Sequence, residues 1–141
     1  MKILVAIDGS PPSIAALKFA IRLLDRQLEN GAIGLVVVRN DASLQRASRL
    51  LGRQVITEYL QEQAELDLTE ARALLAETDL AHETIVRTGR PETEICACAR
   101  EGQYDMIAMG SKGRSGIGDL LIGSVAQRVA AMASVPVTLV K

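Results

Sequence analysis

The sequence predicts an α/β fold: a single doubly wound domain over residues 1–141, with a five-stranded parallel sheet and helices on both faces. Three observations predict it. Short apolar runs alternate along the chain with segments of helical periodicity, the pattern of strand–helix–strand crossovers. The first run, "KILVAID", is apolar at consecutive positions, as a strand buried on both faces must be. The chain has 141 residues, 48% of them hydrophobic, enough to bury one core, and it shows no shorter repeat or linker.

The elements follow in order. The first strand ends in Asp8, and "GSPPS" then starts a helix, with Ser10 as N-cap and Pro11 at the first helical position. Ile14, Leu17, Ala20, Ile21, Leu24 and Leu28 form its apolar stripe, and Asn30-Gly31 stops it. "IGLVVV", Ile33 to Val38, is the second buried strand. Arg39 to Gln54 is polar and carries no clear period. From Val55 to about Thr78 the apolar residues Ile56, Tyr59, Leu60, Ala64, Leu68, Ala71 and Leu75 predict a long amphipathic helix. "HETIVRTG" is the third strand, and "PETEICACARE" is a short helix closed by Gly102. "DMIAMG" is the fourth strand and "PVTLV" the fifth, joined by a glycine-rich loop and a helix from about Asp119 to Ala133. Right-handed crossovers leave few topologies, and the strand orders 3-2-1-4-5 and 2-1-3-4-5 both fit this pattern.

Composition excludes several functions. The net charge is −1, so no polybasic face is available for a nucleic-acid backbone. Phe19, Tyr59 and Tyr104 are the only aromatic residues, too few to stack on bases. No apolar run approaches the roughly 18 residues of a membrane span, and the first apolar run is too short for a secretory signal. Cys96 and Cys98 lie two apart on a predicted helix and point about 200° from each other, so they neither bridge nor share a metal. They are expected to be buried structural thiols of a reducing, cytoplasmic compartment. His82 has no paired nucleophile, and the hydroxyls of Ser10 and Ser13 are read as helix caps, because no general base accompanies them.

The ligand is expected outside the C-terminal ends of the strands, where the strand order reverses. In the order 3-2-1-4-5, Asp8 at the end of strand one stands beside Gly110 at the end of strand four. Asp8 is read as a ligand contact there, against the simpler role of capping the next turn. The loop between strands four and five suits anions. Gly113, Gly116 and Gly118 admit backbone N–H groups without a Cβ in the way. Gly123-Ser124 precedes "VAQRV" at a helix start, whose free N–H groups and partial positive charge attract phosphate. Lys112 and Arg114 add full charges. Valine at Gly113 or Gly123 is expected to block the ligand, by resisting φ > 0 and by filling the approach. Two common fingerprints do not fit: Gly118-x4-Gly123-Ser124 lacks the lysine of a P-loop, and Leu121 stands where Gly116-x-Gly118 would need its third glycine.

With these residues in view, the chain resembles the universal stress proteins, and in particular their nucleotide-binding branch. The branch's motif G-x2-G-x9-G-[ST] reads Gly110-x2-Gly113-x9-Gly123-Ser124. "ILVAIDGS", "GRPETEI", "YDMIAMGSKGRSG" and "SVPVTLVK" extend the likeness over essentially the whole chain. The resemblance implies the order 3-2-1-4-5 and bound ATP, with any Mg²⁺ carried by the nucleotide. It implies that Ala6, Ile7 and Asp8 line the adenosine and that Val38 contacts adenine through its backbone. It implies that Gly110, Gly113, Gly123 and Ser124 hold ribose and phosphates, with Ser111 assisting. It also implies a homodimer through Val137–Val140. Many members carry a histidine one residue before the end of strand two, where this chain has Val37.

The function expected from all this is an ATP-dependent regulatory module of the stress response. Rapid phosphoryl transfer needs a placed base, metal ligands and a cation at the γ-phosphate, and the sequence shows only the cradle. The alternatives are a slow ATPase in which Asp8 helps hold Mg²⁺, and an interaction protein that has lost its nucleotide.

Overall fold

The computed structural model describes residues 1–25, 30–39, 52–113 and 122–141. Its strands are β1 (Lys2–Ala6), β2 (Ala32–Arg39), β3 (Ala81–Thr88), β4 (Met106–Gly110) and β5 (Val137–Val140). They form one sheet in the order β3-β2-β1-β4-β5, every adjacent pair parallel. The described helices are α1 (Pro11–Asp25), α2 (Arg53–Ala76), α3 (Pro91–Glu101) and α4 (Ser124–Met132). The order 3-2-1-4-5 is therefore the one adopted, and 2-1-3-4-5 is not.

Strand alternation divides the core into two layers. Ile3 and Val5 of β1, Ile33, Leu35 and Val37 of β2, and Met106 and Ala108 of β4 pack under α1 and α2. Leu4, Val36, Ile107 and Met109 point the other way, under α3 and α4. Because β1, β2 and β4 are covered on both faces, they read in the sequence as unbroken apolar runs. The edge strand β3 has one covered face, so its residues are half-buried or exposed.

Ser10 is the N-cap of α1: its Oγ accepts the Ser13 N–H at 3.4 Å. Asn30 closes the connection to β2 with φ 80°, a left-handed turn that asparagine tolerates better than most residues. Leu28 and residues 26–29 generally lie outside the described residues, as do 40–51, most of the polar stretch Arg39 to Gln54. In α2 only the C-terminal half is buried, through Ala64, Asp67, Leu68, Ala71 and Leu75. The Asp67 carboxylate accepts a 2.8 Å hydrogen bond from Arg39 Nη1, which ties α2 to the end of β2.

At the N-terminal edge of the sheet, Tyr104 lies against Gly34 and donates its hydroxyl to Glu83 Oε1 at 2.7 Å. Burial, reinforced by that carboxylate, pushes the phenol far above its ordinary value, so it remains a neutral donor. The Lys2 ammonium caps the ring at 4.6 Å and donates to the Gly102 carbonyl. Gly34 is glycine because of this ring: an added Cβ would stand 2.0 Å from the Tyr104 hydroxyl oxygen and 2.4 Å from Cζ. Gly34→Ala is therefore expected to destabilise the fold by about 1–3 kcal/mol through overpacking. Urea denaturation checks this, and an unchanged midpoint would show that Tyr104 can move aside freely.

Candidate functional site

The site begins where β1 and β4 diverge. After Ala6 the chain leaves the sheet toward α1 on one face, whereas after Gly110 it leads toward α4 on the other. The register sets Val36, Ala6 and Met109 side by side across β2, β1 and β4. Alanine between two larger residues leaves a dent in the sheet surface. Pro91 and Ile95 of α3 wall it on one side, and Ser124, Val125 and Ala126 of α4 on another. Asp8, Ser13, Val38, Gly110, Lys112, Gly113 and Gly123 complete a recess of about 180 Å³.

Asp8 has two uses. Its Oδ1 accepts the Ser10 N–H at 2.9 Å and the Ser10 hydroxyl, so the turn-capping role is present in the structure. Its Oδ2 faces Gly113, where an added Cβ would stand 3.0 Å away. One carboxylate oxygen therefore holds the turn while the other borders the recess. Ser13 Oγ donates to the Ser10 carbonyl at 2.8 Å, which leaves the two serines occupied as caps.

The two ends of the glycine loop meet through one residue. Ser111 donates its N–H to the Val140 carbonyl and accepts the Gly123 N–H on its own carbonyl, both at 2.7 Å. Gly123 is the N-cap of α4, with φ −62° and ψ 150°, and among the described residues no side chain caps the helix. The N–H groups of Ser124, Val125 and Ala126 open the helix, and no hydrogen-bond acceptor is paired with them among the described residues. Unpaired donors of this kind, aimed into a recess, attract anionic oxygen.

Most of the residues expected from the sequence come together here: Ala6, Ile7, Asp8, Val38, Gly110, Gly113, Gly123 and Ser124 all line the recess. Ser111 does not. It is buried, and its backbone serves as an anchor for Gly123 and Val140. Two expectations about glycine need correcting. Gly113 and Gly123 do not have left-handed backbones, because positive φ among the described glycines occurs at Gly9, Gly52 and Gly89. At Gly123 an added Cβ would make only ordinary contacts, the nearest at 3.5 Å. At Gly110 it would strike Pro12 at 2.7 Å, so the lack of a side chain there also admits the start of α1. Arg114, Gly116, Gly118 and Asp119 lie outside the described residues; the last helix, expected from about Asp119, begins at Ser124, because Ile122 and Gly123 are not helical and Gly123 is its N-cap. Val37, in the position that often holds histidine, faces α1 and α2 and not the recess.

Sequence reading missed Val36, Met109, Pro91, Ile95, Val125 and Ala126. Their signal was ordinary apolar periodicity, which marks core positions and cannot single out those at a pocket floor. Missed too was Glu92, which is buried with its side chain only 4% exposed. Its Oε1 accepts Arg90 Nη2 at 2.9 Å and Arg128 Nη1 at 3.4 Å. The backbone N–H of Glu92 itself, with Arg90 and Arg128, holds the carboxyl below the usual glutamate range. The expected pair of buried thiols is realised in part: Cys98 is buried and Cys96 half-buried, both free, and burial pushes both thiols up.

A larger furrow of about 960 Å³ follows the outer face of α2, past Glu58, Glu62, Leu66 and Arg72. All its described lining residues come from that one helix, so groups from different elements do not converge there. Among the described residues no helix is long and apolar enough to cross a membrane, and no cluster of three metal-ligating side chains occurs.

A doubly wound parallel sheet with an open recess at its strand-order reversal defines an α/β fold of the class in which that crevice is the usual place for a ligand. The profile of the Universal stress protein family matches residues 1–141, and the chain belongs to that family. It is 31% identical to universal stress protein YxiE of Bacillus subtilis over 99% of this chain and 98% of that one. It is 33% identical to universal stress protein MJ0531 of Methanocaldococcus jannaschii, over 99% and 81% respectively. Among solved structures it superposes on protein MJ0577 of the same archaeon with a TM-score of 0.86, at 26% identity, covering 99% of this chain and 94% of the other. A universal stress protein family member from Arabidopsis thaliana with AMP bound shares the fold (TM-score 0.69, 18% identity, 100% and 91% covered). So does a universal stress protein in complex with cAMP (0.60, 21%, 99% and 95%).

The Glu92 pairing makes a pH prediction. A carboxyl depressed by folding contributes stability that is complete above the unfolded value, about 4.3, and is lost as pH falls through the lower folded value. The melting temperature of the wild type minus that of Glu92→Gln should therefore hold steady from neutral pH to that point and shrink below it. A difference that widens toward acid would contradict the assignment.

Proposed function

We propose that the recess binds an adenine nucleotide, ATP in the first instance, and that the protein is a nucleotide-dependent regulatory module of the stress response rather than a high-turnover enzyme. One observation carries the proposal: Ser124, Val125 and Ala126 of α4, whose N–H groups have no acceptor among the described residues, line the same recess as Asp8, whose Oδ2 has no donor among them. The base and ribose lie against Ala6, Ile7, Val36, Val38 and Asp8, and the phosphates lie along Gly110–Gly113 and at Gly123–Ser124. A volume of about 180 Å³ is below the roughly 300–1,000 Å³ of pockets that enclose a whole drug-sized ligand. It suits one ring system, with the rest of the ligand extended across the glycine loop. Any Mg²⁺ arrives with the phosphates. The AMP- and cAMP-bound relatives of the same fold support an adenine ligand. The free thiols suit a cytoplasmic setting.

Gly123→Val and Ser124→Ala test the phosphate half. The added side chain of Gly123→Val fits the ligand-free fold but occupies the approach, so ATP binding should disappear without loss of the sheet. Ser124→Ala removes one hydroxyl, worth about 1.5–3 kcal/mol toward a charged acceptor, or about 10- to 150-fold in ATP affinity. Adenosine should lose little on Ser124→Ala. Calorimetric losses equal for the two ligands would mean that the loop shapes the pocket without reading phosphate.

The protein is also proposed to form a homodimer through β5. The carbonyls of Pro136 and Val140 bond toward β4, so by alternation Val137 and Leu139 direct their N–H and C=O groups away from it. Such an edge is an association hazard unless covered, and a two-fold antiparallel pairing with a second copy covers it. Leu139→Pro removes an outward donor, the placement an edge strand tolerates best, and should give a folded monomer by sedimentation. A monomeric wild type at micromolar concentration would sink the proposal.

A further inference from the structure

We propose that Glu92 is a positioning residue for the recess: its buried carboxylate, joined to Arg128, sets α4 at the distance from α3 that phosphate binding requires. This rests on the nucleotide reading above. Glu92 follows Pro91, which lines the recess, at the start of α3; Arg128 follows Ser124 by four residues, one turn along α4. The two walls of the recess are thus linked one residue and one turn behind their lining residues. None of Glu92, Arg90 and Arg128 lines the recess itself.

The setting makes this link more than a surface ion pair. Around it α3 and α4 meet through Ile95, Cys98, Ala99, Ala126 and Val129, an apolar contact that resists separation but does little against sliding or tilting. A carboxylate buried at such a junction costs desolvation, and of the two guanidinium groups that offset it at one oxygen, the one from α4 is kept only while the two helices hold their relative placement. α4 is nine residues long and has no side-chain cap among the described residues, so tertiary contacts decide its position. Arg90 belongs to the N-cap of Glu92's own helix and cannot report on α4. Arg128 can.

The test compares Arg128→Met, Glu92→Gln, Arg90→Met and the double variant Glu92→Gln/Arg128→Met with the wild type. Methionine preserves the packing of the exposed arginine stems, and Gln preserves the shape of Glu92. In ligand-free protein, amide hydrogen exchange at Gln127, whose N–H is bonded to the Gly123 carbonyl, and at Val129 in the next turn should accelerate in Arg128→Met and Glu92→Gln but not in Arg90→Met. ATP affinity should fall about tenfold in the same two variants, with the double variant no worse than either, because both remove one coupling. Adenosine affinity should stay within about twofold, since the phosphate wall is what shifts. Unchanged exchange and unchanged ATP affinity would overturn the proposal. So would additive losses, or equal losses for ATP and adenosine. If the wild type binds no ATP, the nucleotide reading fails by itself, and the exchange rates alone decide whether Glu92 positions α4.

Discussion

The divergence of β1 and β4 is the constraint on which the other features depend. These neighbouring parallel strands send their following helices to opposite faces of the sheet, α1 with α2 on one and α4 with α3 on the other. No connection can close over the point of departure, so a crevice remains at their C-terminal ends. The start of α1 then presses close to the end of β4, which excludes any side chain at Gly110. Ala6, set between Val36 and Met109, deepens the crevice into a recess. The same split places an acidic side chain from the end of β1 opposite the start of α4.

The chemistry of the site follows from which backbone donors are already used. Ser111 takes up the Gly123 N–H and gives its own to β5, so the loop ends are pinned to the sheet by main-chain bonds. The next three N–H groups, those of Ser124, Val125 and Ala126, have no such partner among the described residues. A helix start pinned just before its free donors is preorganised: binding an anion there needs little further ordering. Asp8 shows the same economy, with Oδ1 spent on the turn and Oδ2 left at the recess.

Much of this was legible in the sequence, for reasons that differ by element. The runs of β1, β2 and β4 announced burial on both faces, and Ser10-Pro11 announced the start of α1. Strand order was not legible from periodicity, because both candidate orders bury the same residues; only the family motif separated them. Glycines were read for one cause when several operate. Gly34 makes room for Tyr104 and Gly110 for Pro12, both contacts across distant parts of the chain. Gly123 has a backbone conformation open to any residue. Glu92 was invisible because its partner Arg128 lies 36 positions away, and a lone glutamate at a helix start reads as dipole compensation. The main-chain role of Ser111 was not legible because a hydroxyl beside glycines suggests a phosphate contact and hides the backbone bonds to Gly123 and Val140.

The central claim is that the free donors of α4 receive the phosphates of an adenine nucleotide. Amide resonances of Ser124, Val125 and Ala126 test it most directly, followed while ATP and then adenosine are titrated into the isotopically labelled protein. With ATP these three should move downfield together, as amides do on donating to an anion, while adenosine should move the resonances of Ala6, Ile7 and Val38 and leave the α4 amides nearly still. Identical shifts at Ser124 to Ala126 with both ligands, or none with ATP at saturating concentration, would contradict it.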